Sequence, residues 1–172
     1  MATVIDDTVL FTKSVAFRQP ISFAAGSIGN AAITAAAGIA STKLQQQQTV
    51  VEELFGPTTT ITALTRQLAM INGGTCNLLK FRASLITVAT GADRTVTVDL
   101  QRSTAGGAFA TVLSATIGFT NGSTARTVVS GTISTAAGVQ NDLYQVVVTV
   151  AGAAGAQALG LIVALDFQQD PN

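Results

Sequence analysis

From Thr58 onward, apolar and polar residues alternate with a period of two, and glycine-marked breaks interrupt the alternation at intervals of roughly ten residues. The cleanest run is Arg94 to Arg102. There Val96, Val98 and Leu100 point one way, and Thr95, Thr97, Asp99 and Gln101 point the other. Leu79, Phe81, Ala83 and Leu85 share a face within Leu78 to Val88, opposite Lys80, Arg82 and Ser84. Further strands are predicted at Thr60 to Met70, Phe109 to Phe119, Arg126 to Ser134, Leu143 to Val150 and Leu159 to Phe167. Asn72-Gly73-Gly74, Gly91-Ala92-Asp93, Gly106-Gly107, Asn121-Gly122-Ser123 and Gly138 to Asn141 supply the turns, and the Asn121-Gly122 turn predicts a hairpin. About seven such strands without a βαβ alternation predict an all-β fold. The expected form is an antiparallel β-sandwich of jelly-roll or Greek-key type.

The first 57 residues read differently. Val9, Phe11, Val15 and Phe17 alternate, and Pro20 precedes Ile21 and Phe23, which predicts extended, pairing-prone backbone. Gly26 to Gln48 then spaces Ile28, Ile33, Ile39 and Leu44 among alanines and glycines, a spacing that fits neither the helical nor the strand period. Ala35 to Leu44 has the alanine content for one short helix, and four glutamines follow. The expected organisation is an N-terminal arm and linker over residues 1–57, then a sandwich over residues 58–172. Such a stretch is suited to lie in a neighbouring subunit's groove. Its candidate partner-binding residues are Ile28, Asn30, Ile33, Ile39, Lys43 and Leu44.

Composition narrows the functional classes. Of 172 residues only 10% are charged, against 48% hydrophobic, and the mean hydropathy is +0.48. A surface so poor in charge is expected to face other protein. The nine basic residues balance nine acidic ones and form no patch suited to nucleic acid. The chain contains no histidine, which removes the usual general base and the commonest metal ligand. Cys76 is the single cysteine, so no disulfide forms within the chain, and it is expected to be a small buried apolar residue.

Candidate chemistry is thin. Glu52 and Glu53 are neighbours, so on a strand they point to opposite faces and cannot flank one substrate. Ala105-Gly106-Gly107 and Gly118 to Gly122 lack the strand-to-helix context and the lysine of a phosphate loop. Asp93, Asp99, Asp142 and Asp166 are too dispersed for a calcium loop, and Asp99 is expected to pair with Arg102 or Arg94. No catalytic residue, metal or cofactor is predicted, and the expectation is that the chain is not an enzyme. The N-terminus lacks the basic segment of a signal peptide. Val146 to Leu165 is uncharged and long enough to span a bilayer, but its glycines and flanking two-residue period predict two strands and a turn.

The pattern G-S-I-x-N followed by I-A-S-T-K-L-Q, carried by Gly26, Ser27, Ile28, Asn30, Ile39, Ala40, Lys43 and Leu44, resembles an element of tailed-bacteriophage structural proteins of head-decoration or fibre type. The apolar strand and acidic end from Leu159 to Asp170 fit the same resemblance. It implies a virion protein on the outside of the phage head, a homotrimer that cements the shell by binding the major capsid protein, made in the host cytoplasm. It does not imply contact with nucleic acid or membrane. The alternative it leaves open is a receptor- or carbohydrate-binding domain of a head or tail fibre. The absence of tryptophan and the single tyrosine, Tyr144, argue against a sugar platform.

Overall fold

A computed structural model describes residues 46–71 and 74–169. The six candidate residues between Ile28 and Leu44, and the expected short helix, lie outside the described residues. Ten strands make up two antiparallel sheets packed face to face, with no helix among the described residues, as the two-residue period predicts. The first sheet holds β1 (Gln46–Thr60), β10 (Leu159–Gln169), β3 (Cys76–Thr87) and β7 (Val129–Gly131) in that order, with β8 (Ala137–Gly138) also paired to β3. In the second, β2 (Leu64–Met70), β9 (Leu143–Ala151), β4 (Thr95–Ser103) and β5 (Ala110–Thr111) lie side by side, and β6 (Ile117–Thr120) also pairs β4. Strands β1 to β4 therefore alternate between the sheets, and so do β9 and β10. Each strand from the first half of the chain meets one from the second half: β1 with β10, β2 with β9, β3 with β7 and β8.

The core lies between the sheets. Phe81, Ala83 and Leu85 of β3 and Leu161, Val163, Leu165 and Phe167 of β10 meet Val96, Val98 and Leu100 of β4 and Tyr144, Val146 and Val148 of β9, all buried. Each fully buried branched or aromatic side chain removes enough apolar surface from water to contribute about 1.5 to 3 kcal/mol. That driving force selects the register, because a one-residue slip would turn every one of these side chains to solvent.

Several local expectations give way to tertiary structure. Residues 46–57, assigned to the arm and linker from sequence, supply most of β1, where the polar glutamines pair with the end of β10. The expected strand from Thr60 to Met70 is two pieces, because the chain leaves the first sheet at Ile61, whose N–H donates to Ala158 O, and joins the second at Leu64. Phe109 to Phe119 is likewise broken into β5 and β6, and Ala115 is exposed. The Asn121-Gly122 turn is present, but the expected hairpin is not. β6 pairs β4, whereas β7 crosses to β3 in the other sheet. A register shift between Asp166 and Phe167 opposite β3 buries Leu78 where alternation from Phe81 selects Leu79.

One end of the sandwich is closed by two loops bound to each other. The Asp93 carboxylate accepts the N–H groups of Ala153 at 3.1 Å and Ala154 at 3.2 Å, and Arg94 donates to the carbonyls of Ala153 and Ala154. The Ala153 N–H is the main cause that holds the Asp93 carboxyl below its ordinary value of 3.8. A carboxylate depressed on folding stabilises the fold above the unfolded value of about 3.9 and loses that contribution as pH falls through the folded value. Asp93→Asn is therefore expected to lower the urea midpoint at pH 7. The gap to the parent chain should close as the same titration is repeated below about pH 4. A gap that persists unchanged at pH 2.5 would mean that the carboxylate charge plays no part.

Candidate functional site

The outer face of the first sheet is unlike an ordinary solvated face. Across one rung, Val51 of β1, Ala164 of β10 and Arg82 of β3 lie side by side, and on the next stand Ile162 and Ser84. Val51 is 62% exposed and Val128, just before β7, is 59% exposed. With Ile162 and Ala164 they bound an open groove of about 220 Å³. Pockets for small ligands usually enclose about 300 to 1,000 Å³ and bury most of the ligand, so this shallow surface suits protein side chains better.

The cation lining this groove is already engaged. Arg82 Nη2 donates to Asp166 Oδ2 at 2.7 Å, and Thr49 Oγ1 donates to Asp166 Oδ1 at 2.8 Å. Strands β1, β10 and β3 each contribute one member of this network, brought together because the three residues occupy outward positions on adjacent strands. With Asp166 largely buried and both of its oxygens bonded, this pair presents no net charge to a partner, and the charges left on the face are the exposed Lys80 opposite Asp166 and the exposed Glu53 opposite Ile162. A neutral, partly apolar face is what the low charge content of the sequence implies.

A second cluster lies inside, where the sheets meet near β8. The Tyr144 hydroxyl and the Cys76 thiol are 3.6 Å apart, and both are buried. Burial pushes the Cys76 thiol above its ordinary range and pushes Tyr144 up as well. A thiol held protonated is a poor nucleophile, so the cluster offers packing and hydrogen bonding rather than covalent chemistry. Beside it the buried Asp142 carboxylate accepts the Val139 N–H at 3.0 Å and faces Arg102 Nε at 3.6 Å. Arg102 also donates to Ala137 O and borders a second cavity of about 250 Å³ lined by Thr104, Thr111 and Thr135.

The ion pair expected from sequence at Asp99 does not form. Asp99 accepts from Thr111 Oγ1 at 2.6 Å and from Gln101 Nε2 at 3.0 Å, while Arg102 turns to Asp142 and Arg94 to the loop carbonyls. Sequence proximity suggests the pair, but on a strand Asp99 and Arg102 project to opposite faces. Glu52 pairs with Arg66 of β2 at 3.2 Å, and Glu53 is exposed on the other face. The Arg66 contact could not be read from sequence, because it depends on the two edge strands meeting. Among the described residues no group of three or more His, Cys, Asp or Glu side chains is placed to hold a metal ion, and no helix is long and apolar enough to cross a membrane.

No protein-family model matches the chain, and neither does any curated protein. Solved structures similar to the chain in part include the following two. The capsid of Ralstonia phage GP4 gives a TM-score of 0.46 at 19% identity, covering 76% of this chain and 87% of that one. Infectious bursal disease virus, Gt strain, gives 0.32 at 11% identity, covering 76% of this chain and 37% of that one.

Proposed function

We propose that the chain is a bacteriophage virion protein that binds the outer surface of the capsid as a decoration or cement protein. The observation that carries an interaction role is the outer face of the first sheet, where Val51, Val128, Ile162 and Ala164 surround an ion pair that neutralises itself. The resemblance of Gly26 to Leu44 to phage head-decoration elements supplies the setting. We read the nested order β1-β10-β3-β7 over β2-β9-β4-β5 as a jelly roll, a fold that displays two broad outer faces. The sandwich is then the body, and residues 1–45 reach the neighbouring units of the major capsid protein. Each contact is modest, and many copies on one lattice raise the avidity. On this reading the protein has no catalytic role.

Co-sedimentation with capsids lacking the protein tests it. The full chain should pellet with capsids, and a chain beginning at Gln46 should lose most of that binding while keeping a cooperative thermal unfolding transition. Equal binding by the shortened chain would refute the arm, and failure of the full chain to pellet would refute the capsid reading.

A further inference from the structure

Among the described residues β1 pairs on one side only, with β10, and no strand lies against its other edge. Sheets protect such an edge with lysine, proline, a bulge or extreme shortness, because unpaired N–H and C=O groups template a further strand. From Gln46 to Val51 β1 has none of these devices and carries no charge, and the charged residues that follow are the acids Glu52 and Glu53. Its ladder with β10 is unbroken over that span, the register shifts begin after Glu53, Pro57 lies beyond them, and no basic residue intervenes.

We infer that this edge is an interface between two copies of the chain, paired antiparallel about Val50. A twofold axis normal to the sheet keeps both outer faces on one side, and residues that oppose each other must then share a face. Thr49, Val51 and Glu53 point outward and Val50 and Glu52 inward, since Thr49 bonds the outward Asp166 and Leu54 is in the core. With Val50 opposite its own copy, Thr49 opposes Val51, Gln48 opposes Glu52 and Gln47 opposes Glu53. Branched side chains meet branched ones, and every carboxylate meets an amide that can donate to it. Sliding one copy by two residues sets either Gln47 and Gln48 or Glu52 and Glu53 against valines and threonine. A slide of four, in the direction that brings the acids together, sets Glu52 against Glu52. One register is therefore favoured by charge and shape together.

The contact is isologous and closes at two copies. It joins the two first sheets into one continuous sheet and sets the two Val51 grooves on the same surface, on either side of the axis. A single rigid platform then offers both grooves to whatever it binds.

Light scattering of the purified full chain over a concentration series, without capsids, tests the interface. The parent chain should run as a dimer. Gln47→Glu with Gln48→Glu sets acid against acid at four places and should weaken the dimer about 100-fold, because like charges opposed in an interface cost several kcal/mol. Adding Glu52→Gln and Glu53→Gln to that variant exchanges the two partners and should restore it. All four positions lie on an exposed strand edge, and circular dichroism verifies that each variant is folded. A monomer at all concentrations, a trimer indifferent to the substitutions, or a dimer that the exchange does not rescue would each overturn the inference.

Discussion

Gly91→Ala is expected to lower the thermal midpoint by about 6 to 12 °C, a large effect for the addition of one methyl group. A Cβ at this position would fall on the Ala154 carbonyl group, 2.6 Å from its carbon, and 2.8 Å from Arg94 Cγ. The obstructing carbonyl is main chain and is held in place from several sides. Ala153 and Ala154 are bonded to Asp93 and Arg94, and Gly152, at φ +82°, sits against the Asp93 carbonyl. The added methyl can therefore be accommodated only by opening the contact between the two loops. Forcing a methyl into a packed site costs about 1 to 3 kcal/mol, more where backbone must move, so a loss of about 3 kcal/mol is expected. For a chain of this size each kcal/mol moves the midpoint by about 2 to 4 °C. Gly106→Ala is the control. Gly106 also has a positive φ, +76°, but its Cβ would meet nothing within 4 Å, so only the backbone cost of about 1 to 2 kcal/mol applies. A Gly91→Ala variant that melts with or above Gly106→Ala would show that the loops separate freely.

Strands β4 and β10 are legible in the sequence because they are long and their inward residues, Val96 to Leu100 and Leu161 to Phe167, follow the two-residue period without interruption. β1 is harder to read, since its first residues are glutamines whose place in the sheet is set by β10, more than a hundred residues away. The broken strands at Ile61 and at Ser114 are hidden for a related reason. Apolar periodicity continues across each break, because Ile61 stays in the core where the backbone leaves the first sheet for the second, and Leu113 stays there between β5 and β6, which both pair β4. A turn signal such as Asn121-Gly122 marks where the chain reverses but not which strand it reverses onto. The same limit applies to the interaction face. Val51, Val128, Ile162 and Ala164 are ordinary residues one by one in the sequence and form a groove only once β1, β10 and the approach to β7 are side by side. The absence of histidine and the single cysteine, Cys76, are read from composition alone, because residue counts do not depend on folding.

Arg102→Ala is expected to destabilise the fold by about 3 to 5 kcal/mol, read as a shift of the urea midpoint at constant slope. Arg102 belongs to β4 in the second sheet, yet it donates to Ala137 O of β8 in the first and faces the Asp142 carboxylate. Asp142 is fully buried, its Oδ2 takes the Val139 N–H, and its Oδ1 has no hydrogen-bond partner in the protein. Removing the guanidinium would leave that buried charge uncompensated, and would also cut a tie between the sheets next to the Cys76 and Tyr144 contact, which joins them a second time. An exposed pair behaves otherwise. Arg66→Ala breaks the ion pair with Glu52, whose partners are 48% and 32% exposed, and should cost no more than about 1 kcal/mol. If the loss at Arg102 comes from the stranded carboxylate, adding Asp142→Asn to Arg102→Ala should recover part of it, since the amide oxygen still accepts from Val139 without a charge. A double variant no more stable than the single one would assign the whole effect to the lost hydrogen bond at Ala137 and the lost packing.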